Sequence, residues 1–311
     1  MTIWITGMGG FVGQAVARQA ALCGQPYAGI GRTGPLPLPQ DIASLLVDLP
    51  ISFDSLAKLA DRHGLPEVVV HAAGSASVGA SINDPWGDFS ANTLTTQLLC
   101  EYLRQYAPSA RLVLISSAAV YGDRHDGPIP QDTPPAPLSP YGYNKLAAEL
   151  IVRSYAENFG LRAAIVRLFS VYGPGLRKQV LWDLCSRLRR ESAVTLWGTG
   201  EERRDFVHVD DAARLLLLAA ESAATKPTLF NGGTGTATTM RNVADLVADE
   251  WNRVLGKRCS VSFNGNRRQG DPTSLVAACN IAQIAGFATH ISLRDGIAGY
   301  VRWFATESGS Q

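Results

Sequence analysis

The sequence has almost no net charge and no long apolar segment. Its 28 lysines and arginines are balanced by 27 aspartates and glutamates, which leaves a formal net charge of +1. No long-range field therefore attracts nucleic acid or an anionic membrane. No basic segment with an apolar stretch precedes the first strand pattern, and the longest later apolar run, Leu215 to Ala220, cannot span a bilayer. We predict a cytoplasmic protein that binds neither nucleic acid nor membranes.

Cysteine and histidine are also scarce. The five cysteines are widely scattered and have no paired spacing, and the five histidines are isolated from one another. An odd number of unpaired cysteines argues against a disulfide framework, and the missing ligand spacing argues against a zinc site. We therefore expect no metal centre.

The remaining composition is that of a globular chain with a substantial core. The 311 residues are 46% hydrophobic and 18% charged, which suits one large or two medium domains. Short β-branched runs alternate with segments rich in alanine and leucine, a pattern typical of a parallel sheet covered on both faces. The predicted fold is a Rossmann-type doubly wound α/β structure. Its strand candidates are Ile3 to Thr6, Tyr27 to Ile30, Val68 to His71, Arg111 to Ser116 and Ala163 to Leu168.

A glycine-rich turn follows the first strand candidate. Gly7, Gly10 and Gly13 allow the backbone to turn tightly and to approach a pyrophosphate. The helix that begins near Phe11 and Val12 then offers free N–H groups to the phosphates. Because the glycines lie between a strand and a helix, dinucleotide binding is favoured over a simple glycine-rich turn.

A tyrosine and a lysine lie one helical turn apart near the middle of the chain. Ser139 can cap a helix and Pro140 can occupy its first position, which places Tyr141 and Lys145 on one face. The lysine charge and the helix N-terminus both favour the phenolate, so we expect the tyrosine pKa to fall towards neutrality. Such a tyrosine can act as a general acid or base. An isolated match of this kind is more often a coincidence on a solvated helix.

Several ordered motifs accompany this pair. They are Thr6-Gly7 to Gly13, Asp48-Leu49, His71-Ala72-Ala73-Gly74, Asn92, Ser116 to Gly122, Tyr141-x-x-x-Lys145, Arg167 to Pro174, Gly198-Thr199-Gly200 and Arg204 to Asp211. With them the chain resembles an extended short-chain dehydrogenase/reductase of the nucleotide-sugar epimerase/dehydratase type. The resemblance implies a dinucleotide-binding domain over residues 1–173, to which 206–232 return, and a smaller C-terminal α/β substrate domain within 174–311. It also implies a homodimer formed through the helices Asn92 to Tyr106 and Tyr141 to Phe159.

The resemblance further implies a role for individual residues. Ser117 would hydrogen-bond the reacting sugar oxygen, Tyr141 would exchange the proton, and Lys145 would hold the nicotinamide ribose. Further cofactor contacts would come from the glycine turn and from Asp48, Leu49, Ala72, Ala73, Gly74 and Leu168. Substrate contacts would come from Ser117, Tyr141, Ser170, Arg204 and Arg268, with Arg267 as an alternative to Arg268. Ser170 departs from the family pattern, which usually has asparagine at that position.

Cofactor preference depends on the end of the second strand. An NAD enzyme usually places an acid there, whereas this chain has Gly31-Arg32-Thr33. Arg32 can pair with a 2′-phosphate, so NADP(H) is favoured and NAD(H) is the alternative. An arginine that stacks on adenine or points to solvent would remove that preference.

Three functions are compatible with these residues. The first is NADPH-dependent reduction of a nucleotide-diphosphate 4-keto-6-deoxy sugar, with Tyr141 as proton donor, and the second is an NAD-dependent 4-epimerase. The third is a non-catalytic cofactor-sensing or scaffold protein, against which the intact catalytic set argues. Dehydration is disfavoured because Ala118 and Ala119 stand where dehydratases of this family carry acids. The proline-rich segment from Asp123 to Pro140 is predicted to form a wall of the active site.

Overall fold

A parallel seven-stranded sheet forms the centre of the protein. The computed structural model describes residues 1–33, 38–123, 127–266, 272–278 and 287–307. Along the sheet the strands follow the order β11-β6-β5-β4-β1-β2-β3, and every neighbouring pair is parallel. The predicted doubly wound α/β fold is thereby confirmed. The strands are β1 (Ile3–Thr6), β2 (Tyr27–Ile30), β3 (Leu46–Val47), β4 (Val68–His71), β5 (Arg111–Ser117), β6 (Arg162–Leu168) and β11 (Thr228–Gly232).

The helices lie on both faces of this sheet and beyond its edge. They are α1 (Phe11–Leu22), α2 (Gln40–Ser44), α3 (Phe53–His63), α4 (Val78–Asn83), α5 (Pro85–Phe89), α6 (Thr95–Tyr106), α7 (Pro140–Phe159), α8 (Gln179–Leu188), α9 (Val209–Ala219), α10 (Met240–Leu255) and α11 (Leu293–Glu307). A π-helical turn, Ser90–Leu94, joins α5 to α6, and 3-10 turns occupy Ala118–Val120 and Ala220–Ser222. None of the described helices is both long and apolar enough to cross a membrane.

Side chains that alternate along the strands build a core on each face of the sheet. In β1, Ile3 and Ile5 pack with α1 and α9, whereas Trp4 points to the opposite face, where α3, α6 and α7 lie. All three side chains are fully buried. The near-continuous apolar strands of this sheet follow from its two covered faces.

A third apolar core lies among α8, α10 and α11. The shorter strands around it are β7 (Ser170–Tyr172), β8 (Ala193–Leu196), β9 (Arg203–Arg204), β10 (Phe206–His208), β12 (Thr238–Thr239), β13 (Ser260–Phe263) and β14 (Ser274–Leu275). They form the small sheets β10-β7, β12-β9-β14 and β13-β8. Of the segment 206–232, β11 joins the central sheet and α9 packs on α1, while β10 pairs with β7. The division into two domains at residue 173 stays a prediction.

The start of α7 sets the position of the tyrosine–lysine pair. The Ser139 hydroxyl accepts a hydrogen bond of 3.2 Å from the Gly142 N–H, and Pro140 occupies the first turn. The helix packs against β5 and the 3-10 turn that follows it. The first two turns of α7 therefore lie at the carboxyl end of β5, where ligands of open parallel sheets bind.

Candidate active site

The glycine turn after β1 brings the backbone close to the start of α1. Gly7 has a φ of +68°, and its carbonyl accepts a hydrogen bond of 2.9 Å from the Gly10 N–H. A Cβ at Gly13 would lie 2.1 Å from that carbonyl oxygen, so only glycine fits. Gly10 caps α1 without any side-chain hydrogen bond. Phe11 and Val12, both half-buried, are the first two residues of the helix. Because no side chain caps the helix, its first N–H groups remain available to an anion such as a pyrophosphate.

A second tight turn, after β4, packs directly on the first. A Cβ at Gly7 would lie 2.8 Å from the Ala72 carbonyl, and the Ala73 N–H donates to the Thr6 hydroxyl over 3.2 Å. Gly74 has a φ of +151°, and a Cβ there would lie 2.5 Å from Asn92 Oδ1. Because residues 72–74 are small, backbone atoms form most of the surface at this end of the sheet. A cofactor can therefore approach the backbone closely here.

The ends of β2 and β3 form a mixed-charge corner. Arg32 is exposed there, and a Cβ at Gly9 would lie 2.5 Å from its carbonyl oxygen, a requirement for glycine that the sequence analysis missed. Asp48 is exposed as well and accepts hydrogen bonds from the Thr33 backbone and hydroxyl, which lower its pKa. Half-buried Leu49 follows it. The arginine and the carboxylate thus belong to one corner of the cofactor cleft.

The three residues predicted to be catalytic lie together beside this cleft. Ser117 is the last residue of β5 and its side chain hydrogen-bonds to Tyr141. The Lys145 Nζ donates to the Ile115 carbonyl over 3.1 Å and lies 6.0 Å from the centre of the Tyr141 ring. Tyr141 is 8% exposed and Lys145 is 6% exposed. Leu168, also buried, ends β6 next to Ser117 in the sheet register.

Burial dominates the proton equilibria of this pair. It raises the pKa of Tyr141 to about 12, against a lowering contribution from the Ser117 hydrogen bond. It lowers the pKa of Lys145 to about 8, against raising contributions from Asp88 and then Glu149. The prediction that the phenol pKa falls towards neutrality is therefore wrong for the protein alone, because desolvation of the phenolate exceeds the lowering effect of the Ser117 hydrogen bond.

Two buried polar residues beside the pair escaped individual assignment from the sequence. Asn92 lies on the π-helical turn and is 1% exposed, and its Oδ1 has no hydrogen-bond partner among the described residues. Asp88, 4% exposed, lies four residues earlier. In the sequence, the four-residue spacing of Asp88 and Asn92 indicates a shared helix face but no role for either side chain. π-helical turns occur frequently at functional sites, which is consistent with this position.

The residues predicted to bind only the substrate lie on separate short strands or outside the described residues. Ser170 is half-buried in β7 and its N–H donates to the Asp205 carbonyl over 2.9 Å. Arg204 is half-buried in β9, where its Nη1 donates to the Arg203 carbonyl over 2.9 Å. Arg268, like Arg267, lies outside the described residues. The contacts of these side chains with a diphosphate stay a prediction.

The described part of the proline-rich segment, 127–139, is attached to both the sheet and the C-terminal part of the chain. Its Ala136 N–H donates to the Val120 carbonyl over 2.9 Å, and the Ile129 N–H donates to the Val276 carbonyl over 2.8 Å. The Asn231 amide donates to the Ile129 carbonyl over 2.7 Å. These bonds hold the segment next to the turn that carries Ser117. No cluster of three or more metal-ligating side chains occurs in the described part of the chain.

Comparisons with known proteins identify the family of this chain. The sequence profile of the NAD dependent epimerase/dehydratase family matches residues 3–233. The UDP-glucose 4-epimerase of Azospirillum brasilense is 30% identical over 95% of this chain and 89% of its own length. MoeE5 in complex with UDP-glucuronic acid and NAD is 31% identical, with a TM-score of 0.83 over 99% of this chain and 100% of that one. The UDP-glucose 4-epimerase of Thermotoga maritima with UDP-glucose is 27% identical, with a TM-score of 0.86 over 99% and 100% of the two chains. The chain belongs to the NAD-dependent epimerase/dehydratase family.

Proposed function

We propose that this protein is a nucleotide-sugar 4-epimerase that uses tightly held NAD. The observation that carries the proposal is the hydrogen-bonded set of half-buried Ser117, buried Tyr141 and buried Lys145 beside the glycine turn. One tyrosine that can both remove and return a proton is sufficient for reversible oxidation at a single carbon. The relatives named as 4-epimerases, which match most of this chain, support the choice of reaction.

The neighbouring residues favour epimerisation over dehydration. Elimination of water needs an additional acid and base beside the carbons that lose it. Ala118 and Ala119 follow Ser117 directly, and an alanine side chain cannot transfer a proton. The set is therefore complete for chemistry at C4 and lacks the acids that dehydratases of this family carry at these positions.

The cofactor cleft suits a dinucleotide. The uncapped start of α1 and the glycines at Gly7 and Gly13 would hold the pyrophosphate, and Lys145 would hold the nicotinamide ribose. When bound, an oxidised nicotinamide ring would accept the hydride that leaves C4 of the sugar. We propose NAD rather than NADP because the Asp48 carboxylate shares its corner with Arg32, and a carboxylate repels a 2′-phosphate.

In the proposed reaction each side chain acts on the sugar C4 oxygen. Ser117 hydrogen-bonds this oxygen and orients it towards Tyr141. Tyr141, as phenolate, removes the hydroxyl proton while the hydride leaves C4, and it returns the proton when the hydride is added back. The positive charge of Lys145 stabilises the phenolate. Inversion requires the keto sugar to present its other face before the second hydride transfer.

Reduction of a 4-keto-6-deoxy sugar nucleotide by NADPH is the second candidate. Arg32, exposed where β2 ends and without an acid at that strand end, favours it. A reductase exchanges its cofactor every turnover, whereas an epimerase regenerates its own. The retention of the cofactor therefore separates the two functions.

The test combines product analysis with cofactor analysis. The purified protein is incubated with UDP-glucose, UDP-galactose and UDP-glucuronic acid, and the epimers are separated by chromatography. We expect interconversion without net NADPH consumption, retention of a deuterium label at C4, and NAD in the purified protein. Oxidation of NADPH by a 4-keto-6-deoxy sugar nucleotide, with no interconversion, would establish the reductase instead.

A further inference from the structure

A buried carboxylate without a cationic partner lies beside the proton-transfer pair. Asp88 is 4% exposed, and none of the described residues places a positive charge within salt-bridge distance of it. The other buried acid near Lys145 is different. Glu149 pairs with Arg167 through two hydrogen bonds of 2.8 and 2.7 Å, which compensate its charge. The negative charge of Asp88 therefore favours the charged form of Lys145.

The hydrogen bonds of Asp88 come from three separate segments. Its Oδ1 accepts from the Ser75 hydroxyl and, over 3.2 Å, from the Asn92 amide. Its Oδ2 accepts over 2.7 Å from the amide of Asn144, the residue directly before Lys145. All three donors are neutral. The carboxylate thus connects the turn after β4, the π-helical turn and α7, and none of these donors brings a compensating positive charge.

These bonds also orient the Asn92 side chain. Its Nδ2 donates to the Ser75 hydroxyl over 3.0 Å and to the Asp88 carbonyl over 3.1 Å, in addition to the carboxylate. With the amide nitrogen facing Asp88, Oδ1 must face Gly74. Lys145 Nζ lies 3.3 Å from the position that a Cβ at Gly74 would occupy, and Asn92 Oδ1 lies 2.5 Å from the same position. The unpartnered oxygen and the ammonium group therefore border the same part of the cofactor floor.

We propose that Asp88 is a positioning residue for the reaction: it orients Asn92 and Asn144 by hydrogen bonds and supplies the negative charge that keeps Lys145 an ammonium ion. The inference rests on the proposed proton-transfer role of Tyr141 and Lys145. A lysine buried this deeply tends to lose its proton, and a phenolate next to a neutral lysine loses its main stabilising charge. Asp88 offsets that tendency through its negative charge.

The other titratable groups around Lys145 are accounted for. On α7 they are Tyr141, whose pKa is raised to about 12, and Glu149, which is paired with Arg167. On β4 there is His71, whose pKa burial lowers to about 3, so it is neutral. Asp88 raises the pKa of both Lys145 and Tyr141. Its removal should therefore shift both equilibria towards lower pH.

The pKa of Lys145 can be measured without any turnover. The chain has five lysines, so a protein labelled with ¹³C at lysine Cε gives few resonances, and the Lys145 signal is assigned from Lys145→Arg. We expect Asp88→Asn to lower the pKa of Lys145 by about one unit or more. Asp88→Glu, which keeps the charge, should leave it near the wild-type value. Asp84→Ser, which removes an exposed charge from the same short helix but keeps a capping hydroxyl, should also leave it unchanged.

Turnover then links this shift to function. In Asp88→Asn the pH profile of epimer interconversion should move to lower pH as a whole, while the KM for the sugar nucleotide changes little. An unshifted Lys145 pKa in Asp88→Asn, or an equal shift in Asp84→Ser or Asp88→Glu, would overturn the proposal. If Asp88→Asn is recovered unfolded, Asp88→Ser replaces it with the same expectation. A wild-type protein that interconverts no sugar nucleotide rejects the 4-epimerase function alone, because the resonance titration still tests Asp88.

Discussion

Thr33 donates two hydrogen bonds to the carboxylate of Asp48, one from its backbone N–H over 2.8 Å and one from its hydroxyl over 2.5 Å. These bonds join the end of β2 to the end of β3 at the corner where Arg32 is exposed. They also lower the pKa of Asp48, so this carboxylate stays ionised throughout the neutral range. The corner therefore contains a hydrogen-bonded negative charge as well as an exposed positive one.

This corner leads to a prediction about cofactor choice. We expect the wild-type protein to bind NAD more tightly than NADP at fixed salt, and Asp48→Asn to narrow the difference because repulsion of the 2′-phosphate is removed. Arg32→Ala serves as the matched variant and should weaken NADP more than NAD. Binding is measured by calorimetry after removal of resident cofactor. Tighter binding of NADP by the wild type would favour the reductase.

The proton-transfer set leads to a second prediction. Tyr141→Phe should lower kcat by a factor of about 10² to 10⁴, the usual contribution of a positioned acid–base group, while sugar-nucleotide binding persists. Tyr106→Phe is the control, because that tyrosine is 52% exposed at the end of α6 and its ring contacts Phe53 and Tyr102 instead of the site. Interconversion rates and binding isotherms are measured on both variants. Full activity of Tyr141→Phe would show that another group transfers the proton.

A third prediction concerns the missing dehydratase acids. Since Ala118 and Ala119 cannot transfer protons, no hexose nucleotide should be converted to a 4-keto-6-deoxy product. The keto product absorbs strongly after mild alkali, which makes its release easy to detect. Its appearance with any of the uridine, guanosine, thymidine or cytidine diphosphate hexoses would contradict the assignment of these positions.

The buried Arg167–Glu149 pair leads to a prediction about stability. Arg167 is 1% exposed and Glu149 is fully buried, so Arg167→Met leaves an uncompensated charge and should cost about 3–5 kcal/mol in the free energy of unfolding. Arg153 lies 3.8 Å from the same carboxylate but is 40% exposed, and Arg153→Met should cost at most about 1 kcal/mol. Urea denaturation measures both. Equal effects would mean that burial does not decide the contribution of this pair.

The expected homodimer leads to a fifth prediction. Leu94, Tyr143 and Leu150 are 40%, 60% and 55% exposed on the π-helical turn and α7, two elements that contact each other, so they present apolar side chains to solvent. We propose that a second copy covers them, and Leu150→Glu should yield monomers in analytical ultracentrifugation. Leu22→Glu, at a residue that is 81% exposed at the end of α1, should not change the mass. A monomeric wild type would exclude this interface.

Local chemistry explains why so much of the fold and site is predictable from the sequence. The glycine turn is predictable from Gly7, Gly10 and Gly13 between a strand and a helix. The start of α7 is predictable from Ser139 and Pro140 alone, and the structure confirms Ser139 as the capping residue and Pro140 in the first turn. Each of these features depends on residues that are close together in the chain.

Features that depend on several distant segments escaped the sequence analysis. Asp88 acquires its role only when Ser75, Asn92 and Asn144 meet around it. The predicted direction of the Tyr141 pKa shift is wrong because burial raises this pKa. That burial results from the packing of other segments around α7, which the position of Tyr141 in its helix does not reveal. Long-range packing therefore sets the electrostatics of the site, whereas local sequence sets its location.

The pairing of β11 with β6 has a consequence for the order in which the chain is made. During synthesis β6 is complete at Leu168, but its edge partner begins only at Thr228. Until then the edge of β6 exposes unpaired backbone groups, which can template association between nascent chains. A fragment that ends before Thr228 would carry the whole proton-transfer set and still be prone to aggregate.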